Sequence, residues 1–355
     1  MNWAVIMAGG FGERFWPMSR RSRPKQLLAI VGQRTMIQDA AERLRPLVPA
    51  SRIVVVTNTV QAREVRKQLP RVPHVIAEPV GRNTAPCIAL ATAMIRQLDP
   101  EAVIAVVPAD SWIGDVERYR RVVRDSLALA AQRDVLITIG IQPTSAHTGY
   151  GYIKVGDALS PQSATLSTQF WRATSFVEKP DRGTAEQFLA SGRYRWNAGM
   201  FVWSARAIGR AFEKFQPAMA ESCARLVAAK LKNFASEYER LEKISVDFAI
   251  MEKADNVVVA NGDFPWDDVG DWPAIARHNP KDAGGNVARA EFAGLGATNC
   301  VVVGDKKHLI AAVGVRDLVI VHTPDATLVC HRNEAQKVRD LVKKLGEQKK
   351  YKKLL

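Results

Sequence analysis

The sequence is poor in the residues that build disulfide frameworks and zinc sites. It has four cysteines and six histidines in 355 residues. The cysteines form no CxxC pair and the histidines no HxxxH pair, which are spacings typical of metal ligands. We therefore expect Cys87, Cys223, Cys300 and Cys330 to be reduced, and we expect no structural metal site.

Long apolar runs are missing as well. No segment approaches the roughly 18 consecutive apolar residues that cross a membrane. The N-terminal run WAVIMA is too short for the core of a secretion signal and has no basic flank. The sequence predicts a cytoplasmic protein with no membrane partner.

Nucleic-acid-binding signatures are also lacking, although the formal net charge is +14. No zinc finger and no aromatic RNA-binding pattern accompanies that charge. Part of it lies in KVRDLVKKLGEQKKYKKLL (337–355), which predicts a solvated amphipathic helix with a basic end. We expect no nucleic-acid partner; a nucleic-acid-binding module that uses this tail remains an alternative.

What the chain does contain is a regular alternation of strand-like and helix-like segments. Apolar β-branched runs at 53–58, 74–79, 102–110 and 135–141 are separated by helical stretches at 60–69, 83–98 and 117–132. Continuous apolar strands between amphipathic helices are typical of βαβ units with helices on both faces of the sheet. We predict an α/β domain with a mainly parallel sheet over residues 1–280.

A second, smaller domain is predicted for residues 285–355. The turn formers NPKDAGGN (279–286) mark a boundary. The segments after it are short strands of similar length, followed by the basic helix, and such rungs fit a β-solenoid or β-roll. Because exposed strand edges pair readily with other chains, we expect a homodimer.

The stretch MAGGFGERFWPMSRRSRPKQ (7–26) raises the possibility of a phosphate-binding loop. It is neither a P-loop, which needs GxxxxGK[ST], nor a dinucleotide fingerprint, because Phe15 occupies the third glycine position. Glycines at 9, 10 and 12 still allow close approach of backbone N–H groups, while Arg14 and Lys25 supply cations suited to phosphate. A tight turn with solvent-facing basic residues is the alternative.

This stretch resembles the signature of the sugar-1-phosphate nucleotidyltransferase family, and WPMSR followed by PKQ resembles its guanylyltransferases acting on mannose 1-phosphate. The other matching motifs follow in order along the chain: EPVGRNTAPCIAL, VVPADSWI, HTGYGYI, FVEKP, WNAGMFVW, SVDFAIMEK and WDDVGDW. The resemblance implies a Rossmann-like nucleotidyltransferase domain with GTP and mannose 1-phosphate as substrates and Mg²⁺ as cofactor.

Two carboxylates are the candidate magnesium ligands. Asp110 follows an apolar strand, and ligands gather at the carboxyl ends of strands in open α/β sheets. Carboxylate oxygens suit Mg²⁺, although an Asp here could simply cap the next turn. For the second ligand, WDDVGDW offers three acids, and the resemblance selects Asp268.

The resemblance implies further substrate contacts. The nucleotide would lie on Ala8, Gly9, Gly10 and Gly12, with Glu78 accepting hydrogen bonds from the guanine edge beside Asn83 and Thr84. The sugar phosphate would lie on Gly149, Glu178, Lys179 and Asn197. Simpler interpretations stay open: Asn83 and Thr84 as helix caps, Glu178 and Lys179 as a surface ion pair, and the Asn197 region as a turn.

Three positions depart from the family pattern: Phe11 and Glu13 replace small hydroxyl residues, and His147 replaces a frequently acidic one. The backbone N–H groups of the loop and Arg14, which with Lys25 is a catalytic candidate, remain, so we expect the activity to survive the changes at Phe11 and Glu13. The sequence thus predicts transfer of GMP from GTP to mannose 1-phosphate, without an isomerase activity. The alternatives are another nucleotide or hexose 1-phosphate, or a catalytically silent nucleotide-sugar-binding protein.

Overall fold

The apolar runs of the first 262 residues form the strands of one large sheet in the computed structural model, which describes residues 1–159 and 166–355. Its strands are β1 (Asn2–Met7), β2 (Ile53–Asn58), β3 (His74–Glu78), β4 (Val103–Pro108), β6 (Leu136–Ile141), β7 (Gly151–Ala158), β8 (Phe170–Glu178), β9 (Tyr194–Ser204) and β10 (Val257–Gly262). A separate two-stranded ribbon joins β5 (Trp112–Ile113) to β11 (Trp266–Asp267).

The large sheet is mixed, with the order β3-β2-β1-β4-β9-β6-β10-β8-β7. Strands β3, β2, β1 and β4 are mutually parallel, and so are β6 and β10. Strand β9 runs antiparallel between β4 and β6, and β8 and β7 continue the sheet with antiparallel pairings. The α/β fold class is therefore confirmed, with the parallel strands grouped around β1.

Helices cover both faces of this sheet, so side chains on both sides of its inner strands are buried. Every residue of β2 and of β6 is buried. The α-helices of the described residues are α1 (Met36–Leu44), α2 (Ala62–Gln68), α3 (Thr84–Leu98), α4 (Val116–Gln132), α5 (Arg182–Ser191), α6 (Ala205–Phe215), α7 (Pro217–Ala228), α8 (Phe234–Tyr238), α9 (Ala274–His278) and α10 (Val338–Gly346). A π-helical turn covers Asp247–Met251.

The C-terminal region folds as stacked parallel rungs. Strands β12 (Val287–Arg289), β14 (Val301–Val303) and β16 (Leu318–Thr323) form a parallel ladder, which β17 (Ala326–His331) extends antiparallel; β13 (Glu291–Leu295) pairs with β15 (Leu309–Val313). Val287, Val301 and Val319 are in register across the ladder and are all buried. This β-helix-like architecture confirms the expectation of a β-solenoid.

One hydrophobic cluster joins the two regions. It combines Phe15 and Trp16 from the glycine-rich stretch with Trp272 and with the core valines of the C-terminal ladder. The indole N–H of Trp272 donates to the Trp16 carbonyl at 3.1 Å, and that of Trp16 donates to the Leu354 carbonyl at 2.8 Å. The stretch that carries Arg14 is thus packed against the C-terminal region and hydrogen-bonded to it.

The chain end differs from the single helix expected for residues 337–355. A 3₁₀ segment (Arg332–Lys337) leads into the short helix α10, and a second 3₁₀ segment (Lys349–Leu354) ends the chain. The segment is anchored rather than fully solvated, because Val338 is buried and Val342 and Leu345 pack on the shared cluster. Its lysines remain exposed.

The described residues contain neither a disulfide bond nor a membrane-spanning helix. The four cysteines are unpaired there, and Cys87, Cys223 and Cys300 are buried. No helix among the same residues has the length and apolar character of a membrane span.

Candidate active site

The glycine-rich loop follows the carboxyl end of β1, and two polar side chains donate hydrogen bonds to its main-chain carbonyls. The buried amide of Gln26 donates to the carbonyls of Ala8 and Gly10, both at 2.8 Å. The Ser19 hydroxyl donates to the Gly12 carbonyl at 2.8 Å. Gly12 adopts a left-handed conformation (φ 60°, ψ 35°), which glycine reaches without a Cβ penalty. The loop backbone is therefore fixed before any ligand binds.

The PKQ segment returns to this loop and explains why Lys25 is directed into the site. Lys25 is buried, and its side chain lies against Gly12, where a Cβ would come within 2.5 Å of the Lys25 Cβ. Its ammonium contacts Asp110 Oδ2 at 2.9 Å and donates to the main-chain carbonyl of Asp268 at 2.6 Å. A buried cation thus lies between the two candidate metal ligands.

Arg14 approaches the same point from the glycine loop. Its guanidinium donates to the carbonyl of Gly270 at 3.1 Å, two residues after Asp268. A Cβ at Gly270 would come within 2.9 Å of the Asp268 carboxylate and 3.4 Å of the guanidinium. The glycine at 270 therefore permits the close packing of the Arg14 and Asp268 side chains.

The three acids of WDDVGDW have different surroundings. Asp267 is buried and accepts hydrogen bonds from Arg277 at 2.6 and 2.9 Å and contacts His278 at 2.7 Å. Burial alone would raise the pKa of Asp267, but these hydrogen bonds outweigh it and hold the pKa well below its ordinary value. Asp271 accepts from Gln336 at 2.6 Å, in the C-terminal region.

Asp268 is the acid that faces Asp110 and Lys25. Its Oδ1 accepts from the Tyr150 hydroxyl at 2.9 Å. Burial raises the pKa of Asp268, against the opposing influence of the Lys25 ammonium and the Tyr150 hydrogen bond. Of the three acids, Asp268 is therefore the one placed beside the second carboxylate, as a shared cation would require. The assignment of both as metal ligands stays a prediction.

The predicted sugar-phosphate residues lie on or next to three strands: Glu178 and Lys179 at the end of β8, Asn197 on β9, and Gly149 in the turn before β7. Glu178 ends β8, and Lys179 follows it with a positive φ of 47°, which turns the chain and lets its ammonium contact Glu178 Oε1 at 2.7 Å. Asn197 of β9 donates to Asp247 Oδ1 at 2.7 Å and accepts from the backbone N–H of Gly199 at 3.0 Å. The N–H of Gly149 donates to His147 Nδ1 at 3.1 Å.

Glu78 and Asn83 flank the other side of the glycine loop. Glu78 is buried beneath Gly9, where a Cβ would lie 3.3 Å from its Oε2, and it accepts a hydrogen bond from the Tyr238 hydroxyl. Burial raises the pKa of Glu78 to about 7. Asn83 caps α3 through its own side chain, and the Thr84 hydroxyl accepts from the N–H of Val246. The cap interpretation of Asn83 is confirmed; guanine recognition by Glu78 stays a prediction.

A cavity of about 620 Å³ unites most of these groups. From the predicted site it is lined by Gly12, Arg14, Lys25, Thr84, Asp110, Gly149, Glu178, Asn197 and Asp268. Ala8, Gly9, Gly10, Glu78, Asn83 and Lys179 are not among its lining residues in the described part of the chain. Four of these six, Ala8, Gly10, Asn83 and Lys179, are next in sequence to a residue that is. The glycine loop and the carboxylates form one end, and Glu178 and Asn197 the other.

Several side chains that shape this cavity were not among the predicted site residues. Gln26 holds the loop, Tyr150 orients Asp268, and Asp247 fixes the amide of Asn197. Tyr150 also stacks on His147 with ring centroids 3.8 Å apart. Arg339 of α10 lines the cavity as well. The motifs contained all but Arg339, yet only the folded chain shows which atoms meet.

The chain matches two family models. The first, described as Nucleotidyl transferase, covers residues 3–284, and the second, described as MannoseP isomerase/GMP-like beta-helix domain, covers residues 291–345. The gap between the two matches, residues 285–290, contains strand β12 (Val287–Arg289).

Curated relatives and a solved structure match along almost the whole chain. A mannose-1-phosphate guanylyltransferase of Klebsiella pneumoniae is 39% identical over 352 residues, which span 97% of this chain and 74% of the relative. The xanthan biosynthesis protein XanB of Xanthomonas campestris pv. campestris is 37% identical over 352 residues, 96% of this chain and 72% of the relative. The crystal structure of a mannose-1-phosphate geranyltransferase from Thermus thermophilus matches with a TM-score of 0.86 at 34% identity, over 97% of this chain and 99% of that one.

Proposed function

The chain belongs to the nucleotidyl transferase family, in the branch of the mannose-1-phosphate guanylyltransferases, and on that premise we propose that it transfers GMP from GTP to mannose 1-phosphate. The observation that carries the proposal is the cavity in which Arg14, Lys25 and two carboxylates face hydroxyl-binding side chains. Its cationic end suits phosphates, and its other end, with Glu178 and Asn197, suits a sugar.

The proposed reaction is a direct displacement at the α-phosphorus of GTP. An oxygen of the sugar phosphate attacks, the bond from the α-phosphorus to the bridging oxygen breaks, and pyrophosphate leaves with the electron pair. The second pKa of a phosphate monoester is ~6, so the nucleophile is already ionised at pH 7 and needs no general base. The main task of the protein is then to hold two polyanions together.

Arg14 and Lys25 are the proposed cationic contacts. The Arg14 guanidinium offers a planar fork to phosphate oxygens, and Lys25 offers a compact point charge at the Asp110–Asp268 pair. Lys179, beside Glu178, would contact the sugar phosphate. Because Arg14 and Lys25 line a partly buried cavity, each of these two charges is worth more for charge stabilisation than it would be in water.

The site fits Mg²⁺. The Lys25 ammonium already lies here: it contacts the Asp110 carboxylate and donates to the main-chain carbonyl of Asp268. The Tyr150 hydroxyl donates to the Asp268 carboxylate and so fixes its orientation. Among the described residues no group of three or more acidic, His or Cys side chains forms a full protein cage, as suits an ion that keeps water and phosphate ligands. When bound there, Mg²⁺ would neutralise phosphate charge.

The test is pyrophosphate release by the purified chain with mannose 1-phosphate and Mg²⁺, comparing GTP with ATP, UTP and dTTP. We expect a clear preference for GTP, loss on chelation, and loss in Asp110→Asn. The matched control is Asp157→Asn, which removes an exposed carboxylate on β7 and should leave turnover unchanged. Release with a different nucleotide would overturn the guanine assignment. Binding of GDP-mannose without any turnover would instead identify a silent sensor.

A further inference from the structure

We propose that Arg339 of the C-terminal helix α10 binds the β- and γ-phosphates of GTP, the part that leaves as pyrophosphate. The inference rests on the proposed function and extends it, because it makes the C-terminal region a component of the active site. The resemblance of the motifs implied catalytic residues in the first 280 positions only. The basic tail was expected to be a solvated surface.

The first argument is position. Arg339 lines the same cavity as Arg14, Lys25, Asp110 and Asp268. Helix α10 packs against the 3₁₀ turn Glu13–Phe15, so Arg339 enters on the side of the glycine loop rather than on the sugar side. That is the end of the cavity where the proposed reaction places the triphosphate.

The second argument is that the N–H donors of the Arg339 guanidinium are available for a ligand. Within the described residues its one ionic contact is with the neighbouring Asp340, at 3.9 Å, and no hydrogen bond to it is found. About half of its side chain is exposed (51%). An arginine with a free planar fork at the mouth of a phosphate cavity is suited to bidentate phosphate binding.

The third argument is charge. Glu13 lines the cavity and adds a carboxylate at the phosphate end, where it opposes a polyanionic ligand. Nearby, Lys25 is already paired with Asp110. Arg339 brings a positive charge to the same end from another part of the chain, so it offsets the effect of Glu13 on the triphosphate.

The fourth argument is that α10 is held firmly enough to position a side chain. Val338 is buried, and Val342 and Leu345 pack into the cluster that also contains Phe15 and Trp16. Gln336, one turn earlier, donates to Asp271 at 2.6 Å. The backbone at Arg339 is therefore tied both to the glycine loop and to the segment that carries Asp268.

The test compares Arg339→Ala with Lys343→Ala. Lys343 lies one turn further along the same helix, is exposed, and is not among the described lining residues of the cavity, so it removes the same charge without the proposed contact. For Arg339→Ala we expect a 10- to 100-fold loss in kcat/KM for GTP and a similar rise in KM for pyrophosphate in the reverse direction, from one lost charge-assisted contact. The KM values for mannose 1-phosphate and GDP-mannose should change less than twofold. Arg339→Lys should recover part of the loss.

Calorimetric binding of pyrophosphate and of GDP-mannose separates the outcomes without relying on turnover. The wild type and Lys343→Ala should bind both, and Arg339→Ala should lose affinity for pyrophosphate alone. Equal pyrophosphate affinity in Arg339→Ala and the wild type would overturn the inference and leave the proposed function standing. Equal losses for both ligands would show a structural role and also overturn it. A wild type that binds neither ligand would contradict the proposed function itself.

Discussion

Replacement of Gly12 by alanine is the sharpest test of how the glycine loop and Lys25 depend on each other. Gly12 has φ 60°, and a Cβ there would lie 2.5 Å from the Lys25 Cβ and 2.8 Å from the Lys25 backbone nitrogen. The left-handed conformation costs about 1–2 kcal/mol for a residue with a Cβ. Overpacking against a backbone atom adds about 1–3 kcal/mol. We therefore expect Gly12→Ala to lower the free energy of unfolding by about 2–5 kcal/mol.

Two assays check this prediction. A stability loss of that size corresponds to a fall in Tm of roughly 3–8 °C, taking the unfolding entropy as about 2.1 cal/mol/K per residue over roughly 280 residues. Activity should fall as well, because a displacement near 1 Å at a substrate-positioning group costs up to about 10²-fold. The displaced group here is Lys25, so the loss should appear in kcat.

Gly10→Ala is the matched control. A Cβ at Gly10 meets no atom within 4 Å, and Gly10 is absent from the glycines with positive φ. The Tm of Gly10→Ala should stay within about 1 °C of the wild type, since a substitution that meets no neighbouring atoms changes the free energy of unfolding by about 0.5 kcal/mol or less. If the loop binds nucleotide, KM for GTP should rise. A Gly12→Ala protein with wild-type Tm and wild-type kcat would refute the reasoning.

Three further predictions follow from single side chains. Burial raises the pKa of Glu78 to about 7, so between pH 4.5 and 7 the folded state holds a proton that the unfolded state has lost, and stability falls as the pH rises through this window. In Glu78→Gln the free energy of unfolding should fall less between pH 5 and pH 8, by up to about 3 kcal/mol, as measured by urea unfolding. A pH dependence equal to that of the wild type would contradict the raised pKa of Glu78. Lys25→Met should lower kcat about 10²–10³-fold, and near-normal turnover would exclude Lys25 from the catalytic role. Asn197→Ala should raise KM for mannose 1-phosphate about tenfold with KM for GTP unchanged, whereas equal changes in both would indicate a structural role.

Local patterns in the sequence predicted much of the fold. The run IVVVTN coincides with β2 at both ends. A continuous β-branched run is typical of a strand whose two faces are both covered by helices, so its length predicts the length of the strand. The sequence left open whether Asn83 is a helix cap or a nucleotide contact, and in the structure its side chain caps the helix that begins at Thr84. Such features depend on neighbouring residues, so the sequence specifies them locally.

Long-range pairing could not be predicted in the same way. Nothing local to WNAGMFVW shows that β9 inserts antiparallel between β4 and β6 and so makes the sheet mixed. The spacing of WDDVGDW does not tell that Asp267 is bound by Arg277 and His278 while Asp268 faces Lys25. These choices depend on contacts between residues far apart in the sequence, such as Lys25 and Asp268, or on the direction of a single turn.

The same limit applies to the end of the chain. Its charge pattern predicted a solvated helix, and its lysines are indeed exposed. The pattern could not show that Val338, Val342 and Leu345 attach α10 to Phe15 and Trp16, because that core forms only when both ends of the sequence meet. Arg339 became a candidate site residue for this reason alone.

The most direct test of the central claim is the stereochemical course of the reaction. A GTP analogue with a chiral thiophosphate at the α-position would be incubated with mannose 1-phosphate, and the configuration of the nucleotide sugar would be determined by ³¹P NMR. A single displacement by the sugar phosphate predicts inversion at the α-phosphorus. Retention would contradict direct transfer and indicate a nucleotide bound covalently to the protein. Failure to form any GDP-mannose, from the analogue or from GTP, would contradict the proposed function.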